Sequence, residues 1–176
     1  TVVAGRVDPS PDRLTVICAP SFEQLGSGGG DHFGYALTTI NDLDGDGCDE
    51  LAAGARLRAE DGKRNMGTVR IIYGFGASCA PQARFVRLAE GNAWIQTGSS
   101  LAAGDLDGDG IDELAVGSPY ARYDNEGRGG VFVLPGQFLA GLTPQSWPEA
   151  RDGAPQWIDA SYGNRFLHGY VQSGEA

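Results

Sequence analysis

The sequence predicts an all-β fold assembled from copies of one antiparallel, multi-stranded unit, and three observations carry that expectation. A nine-residue acidic loop occurs twice, as Asp42-Leu43-Asp44-Gly45-Asp46-Gly47-Cys48-Asp49-Glu50 and as Asp105-Leu106-Asp107-Gly108-Asp109-Gly110-Ile111-Asp112-Glu113. Equivalent short segments flank each copy, and Asp42 and Asp105 stand 63 residues apart. A period of this size with several strands per unit points to the four-stranded blades of a β-propeller. Composition agrees: 28 Gly and 9 Pro among 176 residues, with no long stretch of helical periodicity, suit a turn-rich β chain.

Taken in chain order, residues 1–30 read as part of a blade, with strands near 2–5 and 13–18. The first full blade is expected over residues 31–90. Phe33-Gly34-Tyr35-Ala36-Leu37 precedes its acidic loop, and strands are expected near 35–40, 51–55, 67–73 and 83–88. Ala83-Arg84-Phe85-Val86-Arg87-Leu88 alternates apolar and polar residues, as an outer strand half exposed to water does. The second full blade is expected over residues 91–160, with strands near 100–104, 114–117, 130–134 and 156–159. Thr97-Gly98-Ser99-Ser100-Leu101 aligns with the segment before the first loop if Ile40 is a one-residue insertion. Residues 161–176 read either as the start of another blade, with a strand near 164–170 after Tyr162-Gly163, or as a C-terminal cap. The chain is therefore expected to begin and end inside blades. Since propellers close with about 4–8 blades, another chain or a fragment of the same precursor is expected to complete the ring.

The chemistry of the loop is that of a hard-cation site. Ca²⁺ takes about 6–8 oxygen ligands at roughly 2.3–2.6 Å, whereas Mg²⁺ prefers to keep several waters. Positions 1, 3 and 5 offer the carboxylates of Asp42, Asp44 and Asp46, and of Asp105, Asp107 and Asp109. Position 7 would offer a backbone carbonyl, from Cys48 or Ile111, and position 9 a further carboxylate, from Glu50 or Glu113. Glycines at positions 4 and 6 let the backbone curl where other residues resist. Two Ca²⁺ sites are expected. The spacing excludes an EF-hand, whose bidentate acid stands at position 12; that position holds Ala53 in one copy and Val116 in the other.

Phe-Gly, the acidic loop, the run Glu50-Leu51-Ala52 or Glu113-Leu114-Ala115-Val116-Gly117, and the strands Gly67–Gly74 and Gly130–Gly136 are together the parts of an FG-GAP repeat. Over residues 31–136 the chain resembles the β-propeller of integrin α subunits and its bacterial relatives. It departs from that pattern at Thr97, where Phe is usual, and at Ser118-Pro119 and Ala55-Arg56, where Ala-Pro is preferred. The resemblance implies that each loop joins the first and second strands of a blade and holds Ca²⁺ on one face. It also implies that the opposite face binds a protein or glycan ligand, and that the setting is extracellular or cell-surface. By the same resemblance, the loops at 56–66 (Arg56, Arg58, Lys63, Arg64) and 120–129 (Tyr120, Arg122, Tyr123, Arg128) lie on that opposite face. Tyr and Arg are enriched at binding hot spots, although ordinary solvated loops would look the same. Trp94 is either a blade-packing residue or a partner-facing aromatic.

Charge and cysteines narrow the function. The formal charge is −10, but the two loops hold ten of the 23 acidic residues, and two Ca²⁺ would leave about −6. The acidity is thus mainly a metal feature, and nucleic acid is not an expected partner. No run of about 18 apolar residues suggests a membrane span. The three cysteines, Cys18, Cys48 and Cys79, cannot all pair within the chain. Cys18 and Cys79 fall at or beyond the ends of third strands in successive blades, which allows either a bridge between them or two unpaired thiols. His32 and His168 are the only histidines, and there is no Ser elbow, Cys-x-x-Cys or phosphate loop. The expected function is a calcium-binding extracellular module for adhesion, and not an enzyme. The alternative is the propeller scaffold of an extracellular lyase or hydrolase whose catalytic residues lie elsewhere.

Overall fold

A computed structural model describes residues 4–7, 14–17, 30–59, 62–75, 84–89, 93–121, 129–142, 145–146, 156–157 and 165–167. The chain is all-β, and its strands form antiparallel blades of the propeller type. Strands β1 (Ala4–Val7) and β2 (Leu14–Ile17) pair antiparallel, Ala4 opposite Ile17.

The first blade is a meander of β3 (Phe33–Ile40), β4 (Asp49–Ala55), β5 (Thr68–Phe75) and β6 (Arg84–Ala89), each antiparallel to the next. It opens on a tight turn in which the Tyr35 N–H donates to the His32 carbonyl at 3.1 Å. Gly34 sits in that turn at φ 83°, which explains why glycine follows Phe33. The turn displaces the register, so that Phe33 faces Ala55 and Leu37 faces Ala53 across a bulge. The small run Ala52, Ala53, Gly54 and Ala55 is buried on both faces, as a strand between close-packed neighbours must be.

The second blade is β7 (Ser100–Gly104), β8 (Glu113–Ser118), β9 (Gly130–Leu134) and, at its outer edge, β12 (Arg165–Leu167). In β8 and β9 the cross-strand pairs Leu114–Leu134 and Val116–Phe132 share one face. That face meets Val69, Ile71 and Tyr73 of β5 in one core that both blades build, with Ile40, Leu43, Ala52 and Leu139 completing it. The alternation of β5 explains the sharing: 69, 71 and 73 turn to the second blade, while Arg70 and Ile72 are buried on the opposite face. Arg70 holds its guanidinium 5.4 Å from the Phe33 ring centre.

Three features differ from the sequence expectation. Arg165–Leu167, read either as opening a further blade or as part of a C-terminal cap, does not start a new sheet but pairs with β9, Phe166 opposite Phe132. The outer edge of β9 would otherwise leave a row of backbone groups without partners. The strand expected near 156–159 is the short β11 (Gln156–Trp157), which lies parallel to β6 of the first blade, beside β10 (Gln145–Ser146). A helical turn, α1 (Gly136–Ala140), follows β9 and buries Leu139 in the shared core. Five residues are too few to show a helical period in the sequence.

Candidate metal centres in the two acidic loops

The first acidic loop connects β3 to β4, and the second connects β7 to β8. Each is held open by its own acids. In the first loop the Gly47 N–H donates to Asp42 at 3.0 Å and the Cys48 N–H to Asp46 at 2.9 Å. In the second, Asp105 accepts from the Gly108 N–H at 2.7 Å and the Gly110 N–H at 3.1 Å, while Asp109 accepts from the Ile111 N–H at 2.9 Å. Gly45, Gly47, Gly108 and Gly110 all take left-handed φ values between 76° and 91°. A Cβ at any of the four would meet nothing within 4 Å, so conformation and not space demands glycine there.

The geometry gathers part of each expected ligand set. In the first loop Asp42, Asp44 and Asp46 bring oxygens within 4.8 Å of one another; in the second, Asp105, Asp107 and Glu113 do so. Two oxygens on one Ca²⁺ stand at most about 4.6–5.2 Å apart, twice the ion–oxygen distance. Both triplets therefore fit a hard cation in donor type and in spacing. Glu50 is not in the first triplet and Asp109 is not in the second. Asp109 instead accepts the Gln137 side-chain amide at 3.2 Å.

The two position-9 glutamates face different surroundings. Each accepts the N–H of the loop's second residue, Leu43 to Glu50 and Leu106 to Glu113. The other oxygen of Glu113 accepts the Gly136 N–H from α1 at 3.0 Å. The other oxygen of Glu50 is buried with no hydrogen-bond partner among the described residues. Burial pushes the Glu50 carboxyl up to about 7; the Leu43 N–H pulls it back, and the charges of Asp44, Asp46 and Asp42 add to the rise. A buried acceptor without a donor, beside three converging carboxylates, is what a cation would satisfy.

Two features of the site were not read from the sequence. Cys48 is disulfide-bonded. Cys18 and Cys79, between which a bridge was considered, lie outside the described residues. Asp112, at position 8 of the second loop, is buried and reaches the first loop: its carboxylate accepts the Asn41 N–H at 3.0 Å and the Asn41 side-chain amide at 3.4 Å. The signal was present, since both loops carry Asp at that position, Asp49 and Asp112.

Of the residues expected on the far face, Arg122, Tyr123 and Arg128 lie outside the described residues. Arg58 forms a salt bridge with Asp31 at 3.0 Å, and Arg56 lies 3.9 Å over the Tyr35 ring. Tyr120 and Trp94 are exposed, Trp94 at φ 68° with its N–H donated to the Arg64 carbonyl. Trp94 thus faces solvent instead of packing between blades.

A two-blade unit with an acidic loop between first and second strands defines an integrin-like FG-GAP repeat protein. The FG-GAP repeat family profile matches residues 33–70 and 97–134. The chain is similar to integrin alpha-7 of Rattus norvegicus, at 36% identity over 82% of this chain and 12% of the relative. It is similar to integrin alpha-PS2 of Drosophila melanogaster at 34% identity over 66% of this chain and 9% of that protein. With integrin alpha-IIb of Homo sapiens the figures are 34%, 65% and 11%. The chain therefore spans about a tenth of the length of these relatives. No described helix is long and apolar enough to cross a membrane.

Proposed function

We propose that this chain is a calcium-binding, extracellular β-propeller module for adhesion, acting by binding and not by catalysis. The observation that carries the reading is the pair of carboxylate triplets, each within 4.8 Å, at matching places in two successive blades. One Ca²⁺ per loop would be held by Asp42, Asp44, Asp46 and Glu50, and by Asp105, Asp107, Asp109 and Glu113, with the Cys48 and Ile111 carbonyls contributing. Bound calcium supplies positive charge that neutralises the acids and fixes the β3–β4 and β7–β8 connections. The disulfide at Cys48 supports an oxidising, extracellular setting. Similarity to integrin α subunits supports the adhesive role.

On this reading the face opposite the calcium loops meets a protein or glycan, with Tyr120 and Trp94 as exposed aromatic contacts. Further blades, in this polypeptide or another, complete the ring. Calcium calorimetry tests the core of the proposal. Two sites per chain are expected, and loss of both heats in Asp44→Ala/Asp107→Ala. No heat from the intact chain would overturn the reading.

A further inference from the structure

We infer that the two loops bind calcium cooperatively, and that Asp112 is the positioning residue that couples them. This rests on the calcium reading above and deepens it. Asp112 stands between two expected donors of the second loop, the Ile111 carbonyl and the Glu113 carboxylate. Its own carboxylate points away from that loop and clasps Asn41, the residue before Asp42, through both the backbone N–H and the side-chain amide. Asp112 is 6% exposed, so its end of the contact is buried although Asn41 itself lies at the surface.

The mechanics follow from the chain path. Asp42 takes φ 27°, a conformation rare for a residue with a side chain, and Asn41 delivers the backbone into it. Whatever fixes Asn41 therefore helps fix the first ligand of the first loop. A cation in the second loop holds Ile111 and Glu113, and so aims the Asp112 side chain at Asn41. A cation in the first loop holds Asp42, and so presents Asn41 to Asp112. Each site thus lowers the ordering cost of the other, and linkage makes the effect equal in both directions. Bare repulsion between two cations would act with the opposite sign, so the sense of the coupling discriminates between the two effects.

Calorimetry with Ca²⁺ on the full chain tests this. Asp107→Ala disables the second loop and should weaken the first about fivefold, the lower end of allosteric coupling. Asp44→Ala should weaken the second loop by the same factor. Repeating both in an Asp112→Ala background should abolish the two effects, while Asp112→Asn, which keeps an acceptor for the Asn41 N–H, should retain most of them. If Asp112→Ala does not fold, as judged by circular dichroism, the reciprocal pair Asp44→Ala and Asp107→Ala still decides whether coupling exists, and Asp112→Asn decides whether an acceptor at 112 sustains it. Two calcium sites whose affinities ignore each other, or weaken each other, would overturn the coupling and leave the calcium reading intact. Coupling that persists unchanged in Asp112→Ala would overturn the role of Asp112. The absence of any calcium binding would overturn the calcium reading and the coupling with it.

Discussion

Ser118 donates a hydrogen bond to the Thr97 hydroxyl at 3.1 Å, and neither residue reaches solvent. These are two of the positions at which the second repeat departs from the family pattern, and the departures answer each other: a hydroxyl replaces an aromatic ring at one and a methyl at the other. Thr97→Val keeps the shape but leaves the buried Ser118 hydroxyl without this acceptor. It should cost about 1–3 kcal/mol in urea denaturation. Adding Ser118→Ala should recover part of that loss, which a double-mutant cycle reads directly.

The two blades approach closely at a glycine. A Cβ on Gly54 of β4 would stand 2.1 Å from the Gly98 carbonyl oxygen, and backbone cannot step aside as a flexible side chain can. Gly54→Ala should therefore destabilise by at least about 1–3 kcal/mol. Gly104→Ala is the control: a Cβ there meets nothing within 4 Å and no left-handed φ is required. Its melting curve should move by no more than about 0.5 kcal/mol.

Calcium that binds the native loops and not the unfolded chain should stabilise by roughly 2.7 kcal/mol per site at a hundredfold excess over Kd. Chelator should lower Tm, and Asp44→Ala or Asp107→Ala should reproduce part of the drop. A melting curve indifferent to chelator would refute the metal assignment.

Glu50 sets a pH dependence for the calcium-free chain. Its carboxyl is raised to about 7 in the folded state from an ordinary 4.5, mainly by burial. Between those values the folded chain binds the extra proton, so stability should fall as pH rises from 4.5 towards 7 and level off above. Glu50→Gln in chelator should flatten that slope and stabilise the chain at pH 7.5. The same variant should diminish the stabilisation that calcium gives. Urea midpoints at pH 5 and pH 7.5 decide the first point, and Tm with and without calcium the second.

Most of the fold was legible in the sequence because each blade combines signals that agree. Alternating or wholly apolar runs marked β3 to β9, and Gly-punctuated acidic loops marked the turns between first and second strands. The outer strands were less legible for a physical reason. A strand such as Arg165–Leu167 has only three residues, and its pairing with β9 is decided by an open edge far away in sequence. At the site, the identity of the loop acids could be read from spacing. Their separate environments could not, because the Gly136 N–H that occupies Glu113 comes from a helix 23 residues later. The link from Asp112 to Asn41 spans 71 residues and is visible only once the blades are side by side.

The joint at Gly54 and Gly98 has a directional character. Gly54 belongs to the first repeat and Gly98 to the second, and their counterparts, Gly117 and Gly34, occupy the matching places in the opposite repeats. By sequence each repeat therefore carries both glycines of the joint, although among the described residues only Gly54 and Gly98 meet: a Cβ on Gly117 would touch Ser100 of its own repeat, and one on Gly34 nothing within 4 Å. Such a contact is heterologous: it joins head to tail, and it does not close upon itself as a two-fold contact does. Duplicating one repeat copies both glycines together, so a lengthened array carries the residues for such a joint at every step. The angle between successive units, and not any further chemistry, then decides whether the array meets its own beginning.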